Sequence, residues 1–245
     1  MIKSVINKGL RALGYEILKK HDCETSIAQL FSESTAKNVL DIGASRGESI
    51  ALWRRLFPTA CIHGFEPVEK NYKRLSERFD RDKDVRLHKL AIGKSEGNCQ
   101  INLSAGGSTH SFRSRGSNPK YGPPRPDLGT SEKVGMTTLD KWTKDQRFEK
   151  IDLCKIDVEG LETDVLHGAK DCLGSERISV VMIELMFVEI YEGQGLFYDI
   201  CRQMSEFGYG IYDLPYVRRH RDGQMRWGDA IFISERFRSK NPILA

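Results

Sequence analysis

Short apolar runs alternate along this chain with longer stretches whose apolar positions recur every three or four residues. Asn38 to Gly43 (NVLDIG) is an apolar run closed by glycine, and a helical pattern from Glu48 to Leu56 follows it, stopping before Pro58. The pair recurs as Cys61 to Glu66 (CIHGFE) and Val68 to Phe79. Val85 to Ile92 predicts a third strand, and Asn98 to Leu103, after Gly97, predicts a hairpin partner or an added edge strand. Ile151 to Val158 (IDLCKIDV) and Ile178 to Leu185 (ISVVMIEL) are near-continuous apolar runs, the pattern of strands buried on both faces, with helical Leu161 to Leu173 between them. A helix from about Leu196 to Phe207 and strands at Gly210 to Leu214 and Asp229 to Ser234 complete the series. Strands alternating with helices of these lengths predict an α/β fold with a mostly parallel, doubly wound sheet.

Two segments depart from the rhythm. Residues 104–132 hold four of the eight prolines, many glycines and no apolar periodicity, so an irregular loop of functional kind is expected there. Arg113, Arg115, Lys120 and Arg125 make that loop basic. Residues 1–34 read as an N-terminal helical segment preceding one domain at 35–245. Within it, Ile2, Val5, Ile6, Leu10 and Leu13 share a broad face. Packing on the domain is the preferred reading of that face; a homodimer contact and peripheral membrane contact through residues 1–20 are the alternatives.

Charge and composition narrow the partners. The formal net charge of +4, from 38 Lys and Arg against 34 Asp and Glu, gives no argument for nucleic acid. No run approaches the ~20 apolar residues of a membrane span, and no secretory signal is read at the N-terminus. Six cysteines without a CxxC pair fit a reduced, cytoplasmic chain.

The candidate chemistry gathers at strand ends. The first strand runs into Asp41-Ile42-Gly43-Ala44-Ser45-Arg46-Gly47 and then directly into a helix. Glycines there permit a tight turn and close ligand approach, and the helix N-terminus presents unpaired N–H groups. One glycine fewer than the dinucleotide pattern, and an acid at its head, suit the ammonium of an amino-acid moiety rather than a pyrophosphate. Glu66, in Phe65-Glu66-Pro67, ends the second strand 19 residues beyond Gly47, near the interval expected of an acid that binds ribose hydroxyls. Lys155-Ile156-Asp157-Val158-Glu159-Gly160-Leu161-Glu162 ends the strand that starts at Ile151, where parallel sheets form their ligand crevice. Asp157 and Glu159 there suit orientation or deprotonation of a hydroxyl. A divalent cation between them is conceivable but not expected, and no metal ligand is assigned. Glu162 fits a helix N-terminus enriched in acids. Glu184, closing VVMIEL, and His110, near neutrality in its ordinary pKa, are further candidates for catalysis.

Taken together, VLDIGASRG, the FEP at Glu66, LAIG at Leu90 to Gly93, TTLDKW at Thr137 to Trp142 and KIDVEGLE resemble the FkbM-type methyltransferases, from about Asn38 to about Ser234. Leu161 stands where that family commonly has histidine. The resemblance implies a Rossmann-like class I methyltransferase fold and S-adenosylmethionine as cofactor. It also implies O-methylation of a small-molecule, glycan or secondary-metabolite acceptor. By the same resemblance Asp41, Gly43, Ala44, Ser45 and Gly47 surround the methionine part, and Glu66 with Pro67 meets the ribose. The backbone at Ala91 and Ile92 edges the adenine, and Asp157 lies near the sulfonium. Two other readings stand beside it. A nicotinamide-dependent oxidoreductase lacks its G-x-G-x-x-G turn and a Tyr-x-x-x-Lys pair here, and a non-catalytic cofactor-binding module sits poorly with an intact set of Asp41, Glu66 and Asp157.

Overall fold

A computed structural model of the chain describes residues 22–104, 110–114, 127–241 and 244. The main sheet has seven strands. In chain order these are β1 (Asn38–Ile42), β2 (Cys61–Phe65), β3 (Val85–His88), β7 (Ile151–Ile156), β8 (Ile178–Met186), β9 (Tyr209–Arg219) and β10 (Met225–Ser234). Their spatial order is β3-β2-β1-β7-β8-β10-β9. The first five are parallel, and β10 runs antiparallel to both β8 and β9. The order reverses between β1 and β7, which opens a crevice at their carboxyl ends.

Period-two alternation sorts each strand's side chains to opposite faces. Leu40, Ile42, Cys154, Ile156, Val181, Ile183 and Leu185 join one apolar layer, completed by α4 (Leu139–Asp145), α5 (Glu162–His167), α6 (Lys170–Gly174) and α7 (Phe197–Glu206). Val39, Leu153, Val180, Met182, Ile231 and Ile233 join the other, under α1 (Cys23–Leu30), α2 (Glu48–Leu56), α3 (Glu69–Arg78) and α8 (Glu235–Lys240). Ile27 and Leu30 of α1 are fully buried in this second layer. The expected boundary at residue 34 therefore marks no break in packing. The face expected over residues 1–20 lies outside the described residues.

A second sheet, ordered β4-β6-β5, consists of β4 (Ala91–Ile92), β5 (Gly97–Ser104) and β6 (Asp127–Thr137). It accounts for two corrections and decides between two alternatives for a third segment. The expected strand Val85 to Ile92 divides, because the chain leaves β2 after His88 and pairs with β6 at Ala91 and Ile92. Asn98 to Leu103 is a hairpin strand of this small sheet. The expected irregular loop through Glu132 enters β6 already at Asp127, where pairing with β5 orders a segment that lacks apolar alternation. Elsewhere the expected helix Leu161 to Leu173 breaks at Gly168 into α5 and α6. β9 and β10 are longer than predicted, because their paired backbones continue through an arginine-rich segment in which Tyr216, Val217, Met225 and Trp227 are interspersed with charge.

Candidate active site

The turn after β1 is shaped by backbone proximity. Gly43 has φ +86°, and a Cβ there would sit 1.8 Å from the carbonyl oxygen of Asp157 at the end of β7. Gly43 and Ala44 both donate N–H bonds to Phe65 O, at 3.1 and 2.9 Å, which ties the ends of β1 and β2 together. Ser45 (φ +48°) leads to Gly47, the N-cap of α2, where a Cβ would crowd the Phe79 ring at 2.6 Å. A cleft of about 360 Å³ lies above this turn. Of the expected cofactor residues, Gly43, Ala44, Ser45, Glu66, Pro67, Ala91, Ile92 and Asp157 line it. Among the expected catalytic residues, Glu159, Glu184 and His110 line it too. Two expected cofactor residues do not. Gly47 is turned to α3, and Asp41 lies beneath the floor.

Asp41 is wholly buried on β1. Its Oδ2 accepts from Trp53 Nε1 at 3.0 Å, and its Oδ1 is 3.8 Å from Lys155 Nζ with no hydrogen-bond partner. Burial raises its carboxyl above the usual range, against Lys155 and the Ser49 and Trp53 hydrogen bonds. Lys155 is 8% exposed and lines the cleft, with Nζ 3.0 Å from Asp157 Oδ2. Burial works against its charge, yet Asp157 and Asp41 more than offset it and hold the ammonium above its ordinary value. Asp41 thus acts through Lys155, which in turn fixes Asp157. Sequence reasoning passed over Lys155. Its signal was a lone lysine inside a strand otherwise buried on both faces.

Glu66 ends β2 almost fully buried. Its two oxygens accept from Ser45 N and Val68 N, each at 2.9 Å. Burial outweighs those bonds and raises its carboxyl to about 7. Beside it Asn71 Oδ1 is buried in the cleft wall without a protein partner.

At the opposite end a group of carboxylates converges. Glu159, at φ +54°, accepts at 2.5 Å from the Tyr191 hydroxyl, and its carbonyl accepts from Ser111 Oγ at 2.6 Å. A non-glycine residue in the left-handed region stores strain, as is common where function fixes the backbone. Glu162 sits behind the lining. Its Oε1 accepts from Val158 N and Gly160 N at 3.1 Å each, so it braces this turn from within the protein. Glu184 Oε2 is sealed from solvent with no partner. Burial, then Asp157, Glu159, Glu162 and Asp229, push its carboxyl well above the usual range. Asp229, opposite Glu184 on β10, is raised to about 6, by burial and then Asp157. His110 Nδ1 accepts from Ser104 N at 2.9 Å, and burial lowers its pKa. Among the described residues no three His, Cys, Asp or Glu side chains gather at metal-binding geometry.

A central strand order with this reversal, an antiparallel last strand and a crevice flanked by Glu66 at one end and a carboxylate set at the other have the form of a class I methyltransferase fold. The fold agrees with the crystal structure of the methyltransferase FkbM from Methylobacillus flagellatus KT: TM-score 0.52, 17% identity, 81% of this chain and 43% of that one. The sequence profile of the methyltransferase FkbM domain matches residues 41–211, and the chain belongs to that family. It is also 32% identical over 164 residues to the 2-O-methyltransferase NoeI of Sinorhizobium fredii. That alignment covers 64% of this chain and 66% of NoeI, just under two thirds of its length. No helix among the described residues is long and apolar enough to cross a membrane.

Proposed function

We propose that this chain transfers the methyl group of S-adenosylmethionine to a hydroxyl oxygen of a glycan or secondary-metabolite acceptor. The observation that carries this reading is a cleft with unpartnered buried acceptors at both ends, Asn71 Oδ1 beside Glu66 and Glu184 Oε2 beside Asp157. Such a cleft fits a ligand with hydroxyl donors at one end and positive charge at the other. Glu66 and Asn71 would hold the ribose, and the turn at Ala44 and Ser45 with the α2 N-terminus would hold the amino-acid part. Phe65, Leu90 and Ile92 would wall the adenine. The relative named as a 2-O-methyltransferase supports oxygen as the accepting atom.

When bound, this cofactor supplies an electrophilic methyl carbon on a sulfonium. The chain's own residues must align the acceptor hydroxyl and take its proton as the oxygen–carbon bond forms. Asp157 is committed to Lys155 and Glu159 to Tyr191. The hydrogen bond from Ser104 N to His110 Nδ1 puts that neutral ring's proton on Nε2, so His110 has no free basic nitrogen here. Glu184 keeps a buried oxygen free of protein donors and is assigned as the proton acceptor, with Asp157 orienting the hydroxyl. A cation in the cleft favours its ionised form, against the neighbouring carboxylates that disfavour it.

Transfer of labelled methyl groups to hydroxylated acceptors tests the reaction, and titration with S-adenosylmethionine and with a nicotinamide dinucleotide tests the cofactor. Glu184→Gln is expected to lower kcat by about 10²–10⁴, the range for a positioned base, with cofactor affinity within a few-fold. A normal kcat in that variant removes Glu184 from the proton transfer, and preferential dinucleotide binding overturns the methyltransferase reading.

A further inference from the structure

The sheet face that carries the catalytic carboxylates continues outward onto the β9–β10 hairpin. Directly paired residues of antiparallel strands share a face. Glu184 pairs with Asp229, and Asp229 with Tyr216. One row nearer the strand ends, Met186 pairs with Trp227, and Trp227 with Arg218. Two interstrand spacings, roughly 10 Å, therefore separate Glu184 from Tyr216 and place Arg218 just beyond.

This row is built rather than incidental. Gly228 has no room for a side chain, since a Cβ would lie 2.3 Å from Tyr216 O. That close approach brings the Tyr216 and Trp227 rings to 5.3 Å between centroids, inclined at 54°. Tyr216 is 40% exposed and Met225 38%, so an apolar surface stands open to solvent. Between Tyr216 and Trp227 the chain places four arginines against one aspartate. Arg218, Arg219 and Arg221 are exposed and make no ion pair among the described residues; Arg219 Nη1 donates to Gly223 O at 2.9 Å, and the one aspartate, Asp222, bonds His220. The face thus reads, from the cleft outward, as carboxylates, an aromatic pair, then the Arg218 guanidinium, with Arg219 and Arg221 close by at the end of the hairpin.

From this order we infer that the hairpin is the acceptor subsite, and that it takes a sugar carrying a phosphate. Resting on the methyltransferase reading, it names the substrate class of that same site. The apolar face of a sugar ring stacks on Tyr216 and Trp227. The arginines hold the phosphate by charge-assisted hydrogen bonds, the geometry in which arginine is strongest. The carboxylates at the cleft repel that phosphate, so only the hydroxyl end points at Glu184. A membrane surface would meet the same arginines but gives no account of the row's continuity with Glu184.

Tryptophan fluorescence of the full chain reads the subsite, because Trp53 and Trp142 are buried (0% and 6% exposed) while Trp227 is half-buried. The probes are glucose, galactose and fucose 1-phosphates, the free hexoses, inorganic phosphate and phosphatidylserine vesicles. Sugar phosphates are expected to quench saturably and more tightly than free hexoses or inorganic phosphate. The double variant Arg218→Gln/Arg221→Gln is expected to weaken them about tenfold or more, as for a lost charge-assisted hydrogen bond. Saturation-transfer NMR on the sugar ring protons should lose its signal in Trp227→Ala, which checks stacking without relying on fluorescence. The inference is overturned if sugar phosphates do not bind, if free hexoses or inorganic phosphate bind as well, or if the arginine pair is indifferent. Arginine-dependent binding of vesicles without binding of sugar phosphates overturns it in favour of a lipid surface. Cofactor titration on the same sample separates the two levels: no S-adenosylmethionine binding strikes the methyltransferase reading, whereas normal cofactor binding without quenching strikes this one.

Discussion

Replacing Lys155 by methionine tests the charge arrangement under the cleft. The ammonium is almost fully buried, 3.8 Å from Asp41 Oδ1 and 3.0 Å from Asp157 Oδ2. At an effective dielectric of about 20, a pair near 4 Å attracts by about 4 kcal/mol. Deleting one member of a buried pair costs about 3–5 kcal/mol, because the other charge is left without compensation. Asp41 is the charge so stranded, since it is wholly buried and only Trp53 and Ser49 then remain to it. The Asp157 contribution is smaller, because that carboxylate is about one-third exposed. Lys155→Met is therefore expected to lower stability by about 3–5 kcal/mol near pH 8, which for a domain of this size is a fall in Tm of roughly 6–20 °C. The sign of the pH dependence follows from Asp41. Its folded-state pKa is already raised by burial and rises further without the lysine. The folded state then holds a proton that the unfolded chain releases, so the deficit shrinks as pH falls and grows as pH rises. Denaturant titrations of wild type and variant at pH 5.5 and pH 8 measure both quantities. Adding Asp41→Asn should recover most of the loss at pH 8. A deficit below about 1 kcal/mol, or one equal at both pH values, would show that the buried pair is not what holds β1 to β7.

Glu66 supplies a prediction for cofactor binding. Its carboxyl is raised to about 7 by burial, so it is partly protonated at neutral pH, and hydroxyl donors favour the ionised form. Affinity for S-adenosylmethionine should therefore weaken as pH falls from 8 to 6, and calorimetry should show that slope vanish in Glu66→Gln; a slope that survives assigns the proton to another group. Gly43→Ala places a methyl 1.8 Å from Asp157 O at φ +86°, so a loss of about 3 kcal/mol or more, or failure to fold, is expected by thermal melts. A melting temperature within a degree of wild type would mean that the β1 turn and the β7 end can separate freely.

Position at the ends of apolar strands was legible in the sequence, as the cleft lining shows. Asp157, Glu184 and Glu66 each follow a buried run, and a parallel sheet delivers such residues to one crevice. The element that carries Asp41 was legible, whereas its burial and its partners were not. A strand-end acid beside a glycine turn reads as a ligand group, but period two turns this one under the floor, where it neutralises Lys155. Glu162 illustrates the same difficulty. In sequence it is a helix-terminus acid, whereas in space it accepts two N–H groups of the turn that presents Glu159. The small sheet was hardest to read. Residues Asp127 to Glu132 carry no apolar alternation, and pairing with β5 depends on partners some thirty residues away in the chain. The hairpin extension of β9 and β10 was hidden for a related reason, since Pro215 and the cluster Arg218, Arg219, Arg221 and Arg226 interrupt the apolar pattern there.

The face arrangement also favours product release in the proposed reaction. Asp41, Lys155, Glu184 and Asp229 belong to strands β1, β7, β8 and β10, and all project to the same side of the sheet as Val39, Leu153, Met182 and Ile231. With Asp157 they set four carboxyls about a single ammonium, a local excess of negative charge in a poorly hydrated cleft. Burial and mutual repulsion raise Glu184 and Asp229, so each is ionised most readily when a cation lies nearby. A sulfonium would meet that condition, and in the proposed reaction loss of its methyl group would remove the positive charge while the acceptor hydroxyl passed its proton to Glu184. The carboxyls would then lose the charge that favoured their ionised form, and Glu184, as the proposed proton acceptor, would keep its proton. Attraction between the cleft and its cofactor is thus strongest before transfer and weakest after it, which favours departure of the demethylated product over its retention.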